Sequence, residues 1–236
     1  MNIFKSNYKI SAAFIALIVL SAGFLASIIV WLSSNEPNGK IASISGSLAA
    51  GLFVAIIQFI ISWRDYKQTE KLSELKLIEI LYRRNDSEFY AKYMKEATKE
   101  IKIMGVTATR FFNDFADNTP NADDKAKTLF SILDKGVNVK MLLPQKKYLD
   151  SNKHSDLAIV IKKVQSIKGV HRNLELRFFD HIPSHSIFSV DDTCIVGPVF
   201  PLLESKNTPA LHLRNNSPIA KEYIKYFDEE WEKATE

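Results

Sequence analysis

Two runs of 23 residues without a formal charge, Ile10–Leu32 and Ile41–Trp63, constrain this chain more than any other feature. Each exceeds the roughly 20 residues a helix needs to cross a hydrocarbon core of about 30 Å, so residues 1–63 read as a two-pass transmembrane hairpin. The link Ser33–Lys40 is short and neutral and holds the turn formers Asn35, Pro37, Asn38 and Gly39. Lys5 and Lys9 precede the first run, and Arg64, Lys67 and Lys71 follow the second. The positive-inside bias then expects a multi-pass protein of the cell inner membrane with both termini cytoplasmic. A cleaved signal peptide is the rival reading of the first run, which has a basic start and the small residues Ser21, Ala22 and Gly23. Its apolar stretch is longer than the usual ~7 to 15 residues, and either way the remaining domain stays inside. The single cysteine, Cys194, lies in an apolar strand, which excludes an intramolecular disulfide and agrees with a reducing compartment.

The second run carries two ridges of small residues, Ala42, Gly46 and Ala50 beside Ser43, Ser47, Gly51 and Ala55. Such ridges let a second helix approach closely, and the first span of the same chain is the preferred partner. Gln58 is the only strongly polar side chain deep in that run. It reads as an interhelical hydrogen bond in preference to a pore lining.

Residues 64–84 are charged, lack Gly and Pro, and place Leu72, Leu75, Ile78 and Tyr82 at spacings of three and four. They read as a juxtamembrane helix able to pair with a copy of itself. Arg83 and Arg84 are interspersed with acids and read as a solvated face. A domain spanning residues 85–236 follows. Asn85 with Glu88 suggests a capping box for a helix through Phe89, Tyr93 and Ala97. Ile101–Thr109 then reads as a strand, with Phe111, Phe112 and Phe115 packing at its end, and residues 113–124 as a polar loop of the kind that rims sites. Helices at 126–135, 155–167 and 217–234 and strands at 137–143, 174–180 and 210–214 complete an α/β sandwich with a mixed sheet.

The densest chemistry lies in Phe178–Phe200, FFDHIPSHSIFSVDDTCIVGPVF. Ser186, Phe188 and Val190 fall on one strand face, Ile187, Ser189 and Asp191 on the other, and Asp191-Asp192 makes the turn. His185, Ile187, Asp192 and Gly197 resemble a degenerate phospholipase D motif, whose pattern is His-x-Lys-x4-Asp followed by Gly-Ser. The lysine position holds Ile187 and the serine position Pro198. The element order from Asn85 onward, with Lys135-Gly136-Val137, the NLELRFF strand and the closing helix, resembles one half of that fold.

The resemblance implies a metal-free site in a homodimer or higher homo-oligomer, with His185 as nucleophile and Asp192 as its partner. Losing the phosphate-binding cation at Ile187 removes an interaction whose deletion commonly costs about 10²- to 10³-fold. Arg110 just past the first strand, Lys140 and Arg177 on the next strands and Arg214 just past the fifth could substitute at a crevice at the strand ends, forming an anion pocket with His185 and His212. His181 and His185 have helical zinc spacing, but Pro183 and the strand character argue against a metal site. No glycine-rich phosphate loop, cysteine pair or nucleophile elbow occurs, and no cofactor is expected. A net charge of +4 without a basic stripe argues against sequence-specific nucleic-acid binding.

Three functions are compatible with this reading. One is a bacterial membrane effector whose degenerate domain binds a small anionic ligand, such as a nucleotide signal, and controls the hairpin. Its architecture is similar to that of membrane effectors in antiphage nucleotide signalling. The second is a dimeric phosphodiesterase using His185 on nucleic acid or phospholipid. The third is a membrane-anchored scaffold for another protein.

Overall fold

The protein is described here by a computed structural model covering residues 3–34, 39–200 and 203–236. The turn formers Asn35, Pro37 and Asn38 lie outside the described residues. The chain divides into two units, residues 1–71 and 72–236.

The first unit holds α1 (Ile3–Leu32) and most of α2 (Lys40–Glu74). Ala12–Leu32 and Lys40–Glu70 are long and apolar enough to cross a membrane. Small residues bring the two helices together. A Cβ on Gly46 would stand 3.4 Å from the Trp31 ring and one on Gly23 3.5 Å from Leu52, while Phe24 and Phe53 meet at 5.8 Å. Ala42, Ser45 and Ala49 are buried in this seam. Ala42 and Gly46 therefore pack as the sequence suggests, whereas Ala50, Ser43, Ser47 and Gly51 face outward, as does Gln58.

The juxtamembrane helix is shorter than its sequence pattern predicts. Helix α2 ends at Glu74, and Lys76 takes φ 49°, a left-handed conformation that breaks the helix. Leu77–Leu81 then forms strand β1, antiparallel to β7 (Ala210–Arg214), with a bulge between Leu77 and Glu79. The open edge of β7 overrides helical propensity, and β-branched Ile78 and Ile80 suit the pleat.

The second unit is a seven-stranded mixed sheet of order β1-β7-β6-β5-β2-β3-β4. Strands β2 (Glu100–Met104), β3 (Asn138–Pro144) and β4 (Leu174–Phe179) are parallel. The hairpin β5 (His185–Val190) and β6 (Thr193–Pro198) joins β2 to β7 by antiparallel pairing. Helices α3 (Ser87–Lys95), α4 (Thr109–Phe115), α5 (Thr128–Asp134) and α6 (His154–Lys168) bury one face of the sheet, and α7 (Pro218–Lys233) the other. The sheet is thus covered on both faces, as expected for parallel strands. Phe188 and Val190 point into the first core and Ile187 into the second.

Local chemistry sets the boundaries. Asp86, not Asn85, caps α3, its carboxylate accepting from the Phe89 N–H. Ser217 caps α7 with Pro218 at its first turn. Strand β2 stops at Met104, earlier than its apolar pattern suggests. Phe111, Phe112 and Phe115 belong to α4, where all three are buried. Their spacing of one, three and four is helical, and the helix takes in residues 113–115, the start of the segment that reads as a polar loop. At the β5–β6 turn Asp191 takes φ 48°. Its carboxylate accepts from the backbone N–H of Thr98, Lys99 and Glu100 at 2.8, 3.0 and 3.0 Å. At Gly197 a Cβ would lie 2.7 Å from the Pro209 carbonyl oxygen, so only glycine fits the close approach of β6 to the chain entering β7.

Candidate functional site

His185 opens β5 beside Pro198 at the start of the hairpin. Its ring stands edge-on to Tyr223 and Tyr226 of α7 at 5.4 and 5.7 Å, and Nδ1 is 2.7 Å from the Ser184 hydroxyl. His181 is close by: its Nε2 lies 3.0 Å from Glu230 Oε2 and 3.2 Å from the Tyr226 hydroxyl. Burial, reinforced by Glu230, raises the Tyr226 pKa. Sequence reasoning missed Ser184, Tyr226 and Glu230, because nothing local announces that α7 returns to this strand end.

Asp192 is not part of this cluster. Five strand steps, about 17 Å, separate His185 from Val190, and exposed Asp192 lies beyond. The engaged turn carboxylate is Asp191, whose pKa is lowered by the backbone N–H groups it accepts from, against the opposing effect of burial. Ile187, where the motif has lysine, is 0% exposed between Met104 and Val196. No cation can reach solvent from that position without emptying the core.

The other expected anion-binding residues are dispersed by the register. Arg214 pairs with Thr193, at the opposite end of β6 from Pro198. His212 faces the other side of the sheet, edge-on to Phe89 and Tyr93 at 5.9 and 5.2 Å. It is buried without a hydrogen bond on either ring nitrogen among the described residues, and desolvation lowers its pKa. Lys140 pairs with Glu100 at 2.8 Å and lies over Trp231. Arg177 covers the same ring at 4.6 Å and donates to the Trp231 carbonyl at 2.9 Å. These two cations fasten α7 to the sheet. Of the expected set, Arg110 lines a cavity.

That cavity, of about 190 Å³, sits at the carboxyl end of β2 between residues 105–110, α4 and the start of β5. Carboxyl strand ends are where open α/β sheets place ligands. Ala108 at φ 55° turns the chain into α4, and Thr109 donates to the Thr107 hydroxyl at 2.9 Å. Arg110 donates to Asp114 at 3.1 Å and to the carbonyl of Arg84. Arg84 is 7% exposed. Its Nε donates to the Ser205 carbonyl at 3.0 Å and its Nη2 to the Thr208 hydroxyl, while its backbone N–H binds the Lys206 carbonyl at 2.9 Å. All of those acceptors are neutral.

Burial, with Arg110 adding to it, lowers the Arg84 pKa. Burial also pushes the neighbouring Tyr90 hydroxyl up to about 12. Asp114 is the sole carboxylate in the lining against two guanidiniums, so the cavity carries an excess positive charge. Its mouth opens into a groove of about 520 Å³ bounded also by Asn113, Lys153, Asp156 and Lys206. Arg84 is therefore not the solvated surface charge its sequence context suggests. A basic pair inside a mixed charge run gives no sign of which arginine turns inward.

No known protein family matches the sequence, and no curated protein does. Among solved structures, the chain is similar to TrmBL2, an archaeal chromatin protein with a novel mode of DNA binding, at 15% identity and TM-score 0.46, over 80% of this chain and 70% of that one. It is similar to Nuc, a phospholipase D family member from Salmonella typhimurium, at 16% identity and TM-score 0.40, over 62% and 87%. It is also similar to phosphatidylserine synthase from Haemophilus influenzae Rd KW20 at 10% identity and TM-score 0.38, over 66% and 38%. These are likenesses of architecture alone.

Proposed function

We propose that this chain is a membrane-anchored sensor whose α/β unit binds a small anion in the cavity at the end of β2 and passes its occupancy to the hairpin. The observation that carries this reading is Arg84: a buried guanidinium with only neutral acceptors among the described residues, held next to a second arginine. An uncompensated buried cation is costly, and an entering anion relieves that cost. The covalent route to the hairpin is short. Arg84 lies three residues beyond β1, and Leu75 and Lys76 alone separate β1 from α2. The proposal extends to multi-pass insertion with cytoplasmic termini, to homo-oligomers, and to antiphage defence by similarity of architecture.

Thermal unfolding of the full-length protein in detergent, with and without inorganic pyrophosphate, tests the binding step. Pyrophosphate at 100 times its dissociation constant adds about 2.7 kcal/mol. The reading predicts a raised melting temperature that Arg110→Gln reduces, and an unchanged one contradicts it.

A phosphodiesterase is the second reading, favoured by the half-exposed His185 beside Ser184 and the His181–Glu230 pair. Two imidazoles and a carboxylate at one strand end are the parts of acid–base chemistry. Turnover of bis(p-nitrophenyl) phosphate that disappears in His185→Ala would establish it, and turnover unchanged in that variant would remove it.

A further inference from the structure

We infer that the ligand is a phosphate monoester carrying one planar ring, with its phosphate at Arg84 and Arg110 and its ring in the cavity. This inference rests on the anion-binding reading of the same cavity.

The phosphate follows from the donors. A guanidinium carries five N–H groups in a planar fork. Arg84 and Arg110 each spend two on protein acceptors, which leaves three on each among the described residues. Forked donors suit the paired oxygens of a phosphate better than a single acceptor. An apolar ligand would leave these donors unanswered.

The ring follows from the walls and the volume. Tyr90, Phe111 and Phe188 line the cavity, with Tyr90 edge-on to Phe188 at 5.3 Å and Phe111 tilted against Phe188 at 6.3 Å. An apolar cavity of roughly 150 Å³ binds benzene. At about 190 Å³ this one takes a single ring system with little to spare.

One phosphate follows from the charge beyond the mouth. In the outer groove Arg110, Lys153 and Lys206 are matched by Asp114, Asp156 and Glu204. A second or third phosphate entering there finds no excess positive charge.

The test is calorimetric titration of the full-length protein in detergent with inorganic phosphate, phenyl phosphate, the four common nucleoside monophosphates and the matching triphosphates. At least one ring-bearing monophosphate binds tenfold or more tightly than inorganic phosphate, and its triphosphate binds no more tightly than it does. Gly105 lines the cavity, and a Cβ on it would meet nothing within 4 Å, so the side chain of Gly105→Leu starts into open space. That variant loses the ring-dependent gain and keeps the affinity for inorganic phosphate. Phosphate binding with no gain from any ring overturns this inference and leaves the anion site standing. Absence of binding by every phosphate compound overturns both.

Discussion

Arg110 donates a guanidinium hydrogen bond to the backbone carbonyl of Arg84, so two cations are held side by side at one end of the sheet. Their side chains reach the cavity from separate places. Arg84 comes from the segment between β1 and α3 and Arg110 from the first turn of α4. Asp114 partners Arg110, and Arg84 latches the segment at Ser205 and Thr208. Several consequences of this arrangement, and of the sheet that frames it, can be measured.

Restoring lysine to the motif does not restore a phosphodiesterase. Ile187 is wholly enclosed, so Ile187→Lys places an unpaired charge in the core beside Met104 and Val196. The expected loss is about 3 kcal/mol or more, of the size seen for unpartnered buried charges. A variant of native stability in urea unfolding that also cleaves a phosphodiester would refute this account of the core.

His185→Ala leaves activity on a generic phosphodiester at background. Its neighbours Ser184, Tyr223 and Tyr226 form a cluster, but no cation is seated at the motif's lysine position. The check is turnover of bis(p-nitrophenyl) phosphate by both proteins, where a real wild-type rate abolished by the change would move the assignment to an enzyme.

The two aspartates of the turn are unequal. Asp191→Ala removes a carboxylate that accepts from three backbone N–H groups and the Thr98 hydroxyl, and it costs about 2 to 3 kcal/mol. Asp192→Ala, at an exposed position, stays within about 0.5 kcal/mol of the parent. The hydrogen bonds depress the Asp191 pKa in the folded state. Its stabilisation is therefore complete above the unfolded-chain carboxylate pKa and is lost as pH falls through the folded value. Urea unfolding between pH 7 and pH 3 should show Asp191→Ala with a shallower acid loss than the parent. Parallel profiles would contradict the role given to this carboxylate.

Gly197→Ala destabilises by about 1 to 3 kcal/mol, because its methyl meets the Pro209 carbonyl at 2.7 Å and backbone must shift to admit it. The measurement is the urea midpoint, and an unchanged midpoint would show that β6 and the Pro209 segment separate freely.

Much of the fold is legible in the sequence because its signals are local. Charge-free runs give the paired apolar helices, a proline and serine mark the start of α7, and β7 falls at 210–214 as its alternation suggests. What is misread depends on distant partners. The segment 77–81 has helical spacing and becomes a strand because β7 offers it an edge. The site is less legible than the fold. His185, Arg110, Lys140, Arg177, His212 and Arg214 are of the right types, but register and face, set by pairing across the sheet, decide which of them meet. Arg110 meets Arg84, which stands 26 positions away and has no motif around it.

The central claim is that Arg84 and Arg110 form an anion site. The most direct measurement is calorimetric titration of inorganic pyrophosphate into the full-length protein in detergent, for the parent, Arg110→Gln and a control, Lys225→Gln, on the exposed surface of α7. The account predicts binding by the parent and the control and at least a tenfold loss in Arg110→Gln, with unfolding midpoints showing all three proteins folded. Equal affinity in all three, or no binding by any, would contradict it.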